Sequence, residues 1–235
     1  MDDKDAVSAS DEAVRGGVVR QALDKALGVQ VSAVERNVAR ARQRRPDATP
    51  AEVVRTLERM YRTALTGSGA AVGAAAAVPT VGTGAALVLS GGESLTSLEL
   101  SVLFTLSLAE IHGVRVDELE RRRTLVLGVL LGGGSTETIK KVAGRTGPHW
   151  AKQIVGAVPL TTLRQINRVL GRNFVTRYGT RQGIVVLGRI VPFGVGAAIG
   201  AGANLALAET TIRAARRAFG PAPLAWDVPD QSAAI

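Results

Sequence analysis

The chain has 235 residues, 46% hydrophobic and 21% charged, which is enough apolar material for one well-buried domain and excludes general disorder. With no cysteine and only two histidines, disulfides, thiolate nucleophiles, cysteine-ligated metals and imidazole-rich metal sites are excluded. The net charge of +9 is uneven: between Glu137 and Glu209 stand ten bases and no acid, which suits phosphate-bearing lipid or nucleic acid, the plain alternative being a solvated basic face.

Aromatic residues are only 3% of the chain, so the core must be built from Ala, Val, Leu and Ile, with glycines letting helix backbones approach. That composition predicts an all-α fold, a single multi-helix domain over 13–220 with closely packed, glycine-rich apolar hairpins. Residues 1–12 are acidic and small and read as a flexible N-terminus. Asp2, Asp3 and Asp5 stand where a secretory signal would need a basic and then an apolar stretch, so the expected location is the cytoplasm.

From Ala13 to Arg45 the pattern is helical and closes in Arg36, Arg40, Arg42, Arg44 and Arg45 before Pro46. Thr49, Pro50 and Glu52 form a capping box with proline at the first helical position. Val53, Val54, Leu57, Met60, Tyr61 and Leu65 then fall on one stripe, and Arg55, Glu58, Arg59 and Arg62 are expected on the outer face.

Two stretches carry almost no charge and many small residues, Thr63 to Gly92 and Ile190 to Ala208. The first is long enough to cross a bilayer, where about 20 apolar residues are needed. Its glycines, at about 1 kcal/mol each relative to Ala, and Pro79, at about 3 kcal/mol, make it a poor spanning helix. Two short helices bent at Pro79 are expected instead, with a second hairpin around Pro192. Gly69 and Gly73 stand four apart, as do Gly196 and Gly200, a spacing that flattens a helix face, so the two segments are expected to pack together.

Ser90 with Glu93 repeats the capping-box spacing and predicts a helix start, running to His112 with Gly113 as its terminal glycine. Asp117 is expected to cap the next helix, and Gly132 to Gly134 read as a hinge. A helix from about Leu160 to Val175 places Leu163, Ile166, Leu170 and Phe174 inward and Arg164, Arg168 and Arg172 outward, with Arg177 and Arg181 continuing past its end. A final helix follows the second glycine-rich segment, and 221–235, with three prolines, reads as a flexible tail.

No catalytic motif stands out. Gly67, Gly69 and Gly73 miss the dinucleotide-binding spacing, no Walker-type lysine occurs, and no G-x-S-x-G is present. Glu93 reads first as a cap and second as a functional acid in an uncharged region. His112 reads as a helix-end group and Asn204 as a bridge between helices.

The segments "GAAVGAAAAVPTVGTGAALVL", "LAEIHG", "VDELERR" and "IVPFGVGAAIGAGANLALAETTIRAARRAF" together resemble the bacterial EcsC protein family, over roughly Leu57 to Phe219. The run Val191 to Asn204 carries most of the likeness. Family members tend to have an aspartate near Glu93 and a tyrosine near His112, where this chain has Glu and His. The resemblance implies a helical, membrane-associated bacterial protein and no defined reaction.

The combined expectation is a non-enzymatic protein docking on the inner face of an anionic membrane. Arg164, Arg168, Arg172, Arg177 and Arg181 would meet lipid headgroups. Gly69, Gly73, Pro79, Pro192, Gly196, Gly200 and Asn204 would pack helices or insert. No metal or cofactor is called for. The alternative is a cytosolic nucleic-acid binder using the same arginines.

Overall fold

The computed structural model describes residues 17, 20–29, 31–43, 45–76, 83–114, 116–133, 135, 137, 139, 149–189 and 195–226, apart from the side chains of 69, 72–94, 155–156 and 178–200. The fold is all-α: α1 is Val31–Arg42, α2 Pro50–Ala76, α3 Thr83–Ile111, α4 Leu119–Leu131, α5 Trp150–Ala157, α6 Leu160–Arg189 and α7 Val195–Phe219. Residues 21–27 add a helical segment ahead of α1.

Local chemistry accounts for the start of α2. Thr49 N–H donates to Glu52 Oε2 at 2.9 Å, and Glu52 N–H reaches back to Thr49 Oγ1 at 3.4 Å, so both halves of the capping box form. The bonds that Thr49 N–H and, at 3.1 Å, Thr49 Oγ1 donate to Glu52 Oε2 hold that carboxyl below its usual pKa, with Arg45 and Arg55 adding to the effect. Val53, Leu57, Tyr61 and Leu65 then come round one face and are buried. Glu58, expected outside, is only 4% exposed, because Arg216 of α7 closes over it. Arg62 likewise turns to Glu209 of α7.

The most extensive interface runs between α2, which carries the first part of one glycine-rich segment, and α7, which carries most of the other. α2 also packs on α3, α4 on α6, α1 across α3, and α7 touches α4, α5 and α6 as well. The core lies between these faces, with Leu57, Leu65, Leu98, Leu125, Leu127, Leu163, Ile166 and Leu170 fully enclosed. Each such side chain contributes about 1.5–3 kcal/mol of burial.

α3 buries polar positions as well as apolar ones. Ser101 and Thr105 donate to carbonyls one turn back, Ser97 O and Ser101 O, so their hydroxyls are satisfied within the helix. The Tyr61 hydroxyl lies 2.8 Å from Ser101 Oγ, while its ring stacks on Phe104 with centroids 4.5 Å apart. Asn37 of α1 donates to Ser107 Oγ at 2.9 Å, fastening α1 to the same helix. The helix ends in a Schellman motif: Gly113, at φ 65°, bonds Glu110 O, and Val114 N–H reaches Ala109 O.

Three boundaries depart from the sequence expectation. α3 does not start at Ser90 but at Thr83, and the Ser90–Glu93 spacing lies inside a continuous helix. A Ser-x-x-Glu pattern marks a start only where the preceding backbone is not helical, and here the amides of 90–93 already have carbonyls four residues back. α4 starts at Leu119, with Glu118 at its N-cap making no side-chain cap bond, so Asp117 is not the cap. α6 runs on to Arg189 rather than ending near Val175. Once a helix is nucleated, each further residue adds a backbone hydrogen bond, and the α6 backbone stays helical through Gly179, Gly183 and Gly188.

Pro79, Pro192 and the bends expected at them lie outside the described residues, as does Gly134 of the expected hinge. Gly132, also part of that hinge, is the C-cap of α4 at φ 65°. Of the expected tail, residues 221–226 are described. Trp226 Nε1 donates to Ala48 O at 2.9 Å, and the Arg42 guanidinium sits 4.3 Å over its ring, which holds this stretch against the α1–α2 connection.

Candidate functional site

Leu163, Ile166, Asn167, Leu170 and Phe174 turn toward α4 and the core and are buried. That fixes the rotation of α6 and leaves Arg164, Arg168 and Arg172 exposed on the opposite side. At about 100° per residue the three fall within an arc of about 80°. Arg164 stands 4.0 Å from Glu120 and is 64% exposed, so this long contact leaves its charge largely in solvent. Neither Arg168 nor Arg172 pairs with a carboxylate among the described residues.

The rotation is locked by a buried amide. Asn167 Oδ1 accepts from Thr124 Oγ1 at 2.7 Å, and Nδ2 donates to Glu120 O and Glu120 Oε2 at 2.9 and 2.6 Å. This engages both ends of the amide, so α6 cannot turn without leaving buried polar groups unmet. The arginine face is therefore presented by a rigid helix.

Arg177 does not continue that face. On an uninterrupted helix it lies about 140° further round than Arg172, and its Nη1 comes 3.5 Å from Leu131 O, at the end of α4. Its charge meets the partially negative carbonyl end of that helix. The Arg181 side chain is outside the described set, and so is that of Glu93. Their backbones lie within α6 and α3.

The residues expected to pack helices divide in the same way. Gly69 and Gly73 lie on α2, and Gly196 and Gly200 on α7, the pair of helices in most extensive contact. Asn204, one turn beyond Gly200, is buried and donates to Leu65 O at 2.9 Å and to Ser68 Oγ at 3.4 Å. Further along this antiparallel seam Arg62 meets Glu209 at 2.5 Å, and Arg216 holds Glu58 through Nε and Nη2 at 2.7 and 2.5 Å. These groups are committed to holding α2 on α7. Arginine contact keeps the Glu209 carboxyl below its usual pKa, and the Glu58 carboxylate raises that of Arg216.

His112 is buried at the C-cap of α3, its Nδ1 2.8 Å from Leu108 O and its ring 5.0 Å from that of Phe219. Burial pulls its pKa below the ordinary value; the backbones of Leu108 and Gly220 oppose this, and Lys152 adds a smaller downward push.

Two arrangements of arginines escaped the sequence reading. Consecutive Arg121, Arg122 and Arg123 point to three places: Arg121 to Ile154 O and Val158 O at the end of α5, Arg122 to Leu27 O and Val29 O, and Arg123 to Asp24. Arg121 and Arg122 thus meet carbonyls near helix ends, while Arg121 also pairs with Glu118 and Arg123 with the Asp24 carboxylate, each at 2.8 Å. Separately, Arg40 and Arg45 meet Arg55 and Arg59 around a cleft of about 580 Å³ between α1 and α2. The four-residue step from Arg55 to Arg59 was visible in the sequence, but the approach of Arg40 and Arg45 depends on the turn at 43–49.

Among the described residues no helix is long and apolar enough to cross a membrane, and no group of three His, Asp or Glu side chains is placed to hold a metal ion. No family model, curated protein or solved structure matches the chain.

Proposed function

We propose that this is a non-enzymatic helical protein of the EcsC type that docks reversibly on an anionic membrane surface through the Arg164, Arg168 and Arg172 face of α6. The observation that carries the reading is the exposure of three guanidiniums on one side of a helix whose rotation is fixed by Asn167. Arginine forks suit phosphate oxygens, and a rigid face loses little entropy on meeting them. At about 1 kcal/mol per basic group near anionic lipid, three arginines contribute about 3 kcal/mol, about two decades in affinity. That is a reversible attachment needing no spanning helix.

Salt dependence tests it. The purified protein is sedimented with phosphatidylglycerol-rich and with neutral phosphatidylcholine vesicles at low and at high salt. Binding to anionic vesicles that salt reverses is the expected result. Salt-resistant binding would instead assign attachment to insertion of the glycine-rich segments. Failure to bind vesicles, together with salt-sensitive binding to duplex DNA, would replace the reading with the nucleic-acid one.

A further inference from the structure

We infer that the cleft between α1 and α2 is a binding site for a compact phosphate-bearing anion, separate from the α6 face. At about 580 Å³ it is within the size range of small-molecule sites. Its charge is supplied from two helices and the turn between them: Arg40 from the last turn of α1, Arg45 from the turn, and Arg55 and Arg59 from α2. The one acid on its wall, Glu52, is already engaged by Thr49 in the capping box and by Arg45 at 3.1 Å. Arg40, Arg55 and Arg59 have no carboxylate partner among the described residues.

Four like charges around one hollow repel each other unless an anion sits between them, and they are held there by elements fixed for other reasons. The capping box fixes the start of α2, and Asn37 fastens α1 to α3. Trp226 bonds to the carbonyl of Ala48 on the cleft wall, and Arg42 covers its ring. After the Glu52 charge is subtracted the hollow keeps a surplus of about three positive charges, which suits a dianion or trianion such as a phosphomonoester or pyrophosphate. Forked guanidinium donors on arginines that line the cleft from both helices favour tetrahedral phosphate oxygens over a single carboxylate. The same chemistry fits a soluble phosphorylated metabolite or the exposed phosphomonoester of a lipid headgroup.

Isothermal titration of the full chain with inorganic pyrophosphate, at constant ionic strength, tests the site. Saturable binding at about one equivalent is expected, weakened at least about tenfold in Arg55→Gln/Arg59→Gln and unchanged in Arg168→Gln/Arg172→Gln. Both double variants change exposed side chains, and matching circular dichroism melts confirm that each is folded. Competition then separates the sources. Displacement of pyrophosphate by phosphatidic acid vesicles, but not by phosphatidylglycerol vesicles of equal charge, assigns a lipid headgroup, and no displacement assigns a soluble anion. Non-saturable heats, or equal affinity in the Arg55→Gln/Arg59→Gln protein, would overturn the site and leave the α6 docking reading untouched.

Discussion

Asn204 of α7 donates from Nδ2 to the main-chain carbonyl of Leu65 on α2 at 2.9 Å, across 139 residues of chain. The Ser68 hydroxyl donates to the same carbonyl at 2.9 Å, so one oxygen at the edge of the glycine-rich stretch gathers side chains from both helices. Replacing Asn204 by Ala removes a buried donor and leaves Leu65 O with its local partner. The expected cost is about 1–2 kcal/mol, read as a lower urea midpoint with unchanged slope.

Glu58 and Arg216 form the two-pronged contact of that seam, with the carboxylate nearly enclosed and the guanidinium side chain 61% exposed. Removing Arg216 alone strands the nearly buried Glu58 carboxylate, whereas removing both partners does not. A double-mutant cycle with Glu58→Ala and Arg216→Ala should therefore give a coupling of about 1–3 kcal/mol. The solvent-facing Arg45–Glu52 pair should give a clearly smaller coupling in the same experiment.

Two glycines should respond to alanine with opposite signs. A Cβ placed on Gly128 of α4 would lie 2.3 Å from the buried Trp150 ring, so Gly128→Ala forces the indole aside at a cost of about 1–3 kcal/mol and alters Trp150 fluorescence. A Cβ on Gly171 of α6 meets nothing within 4 Å, and Gly171→Ala should raise stability by about 0.5–1 kcal/mol through helix propensity. Thermal melts of the two variants check both signs.

Burial depresses the pKa of His112, so the folded state favours the neutral ring while the unfolded chain takes up a proton near 6.5. The stabilising contribution is full above that value and is lost as the pH falls through it, the loss ending once the lowered folded pKa is passed. From about pH 7 to about pH 5.5 the urea midpoint of the native protein should fall, and that of His112→Gln should fall less. Exposed His149 is common to both proteins, and Glu52 and Glu209, whose pKa values are lowered from 4.5, respond below this window. Parallel pH profiles would refute the assignment.

What the sequence disclosed was local. Thr49, Pro50 and Glu52 define a helix start through contacts three residues apart, and Gly113 ends α3 through bonds spanning one turn, so both were readable without tertiary information. The Arg164, Arg168 and Arg172 face was readable for the same reason, its inward partners Leu163, Ile166 and Leu170 lying on the same helix. Contacts across long separations were not. Glu58 looks like a surface acid until Arg216 arrives from 158 residues away, and Arg177 looks like part of a basic stripe until the continuation of α6 carries it round to Leu131. The Ser90–Glu93 spacing was a correct motif in the wrong setting, since the helix upstream of it had already formed. The α1–α2 cleft required two separate arginine groups to converge across a turn, and no periodicity encodes that.

The central claim is that the exposed α6 arginines hold the protein on anionic lipid. Its most direct test is flotation of the native protein and of Arg164→Glu/Arg168→Glu/Arg172→Glu with anionic vesicles at low salt, each first shown to be folded by its circular dichroism melt. The account predicts that the native protein floats and the triple variant stays in the soluble fraction, with the loss reproduced in the native protein by high salt. Equal flotation of both proteins would contradict it.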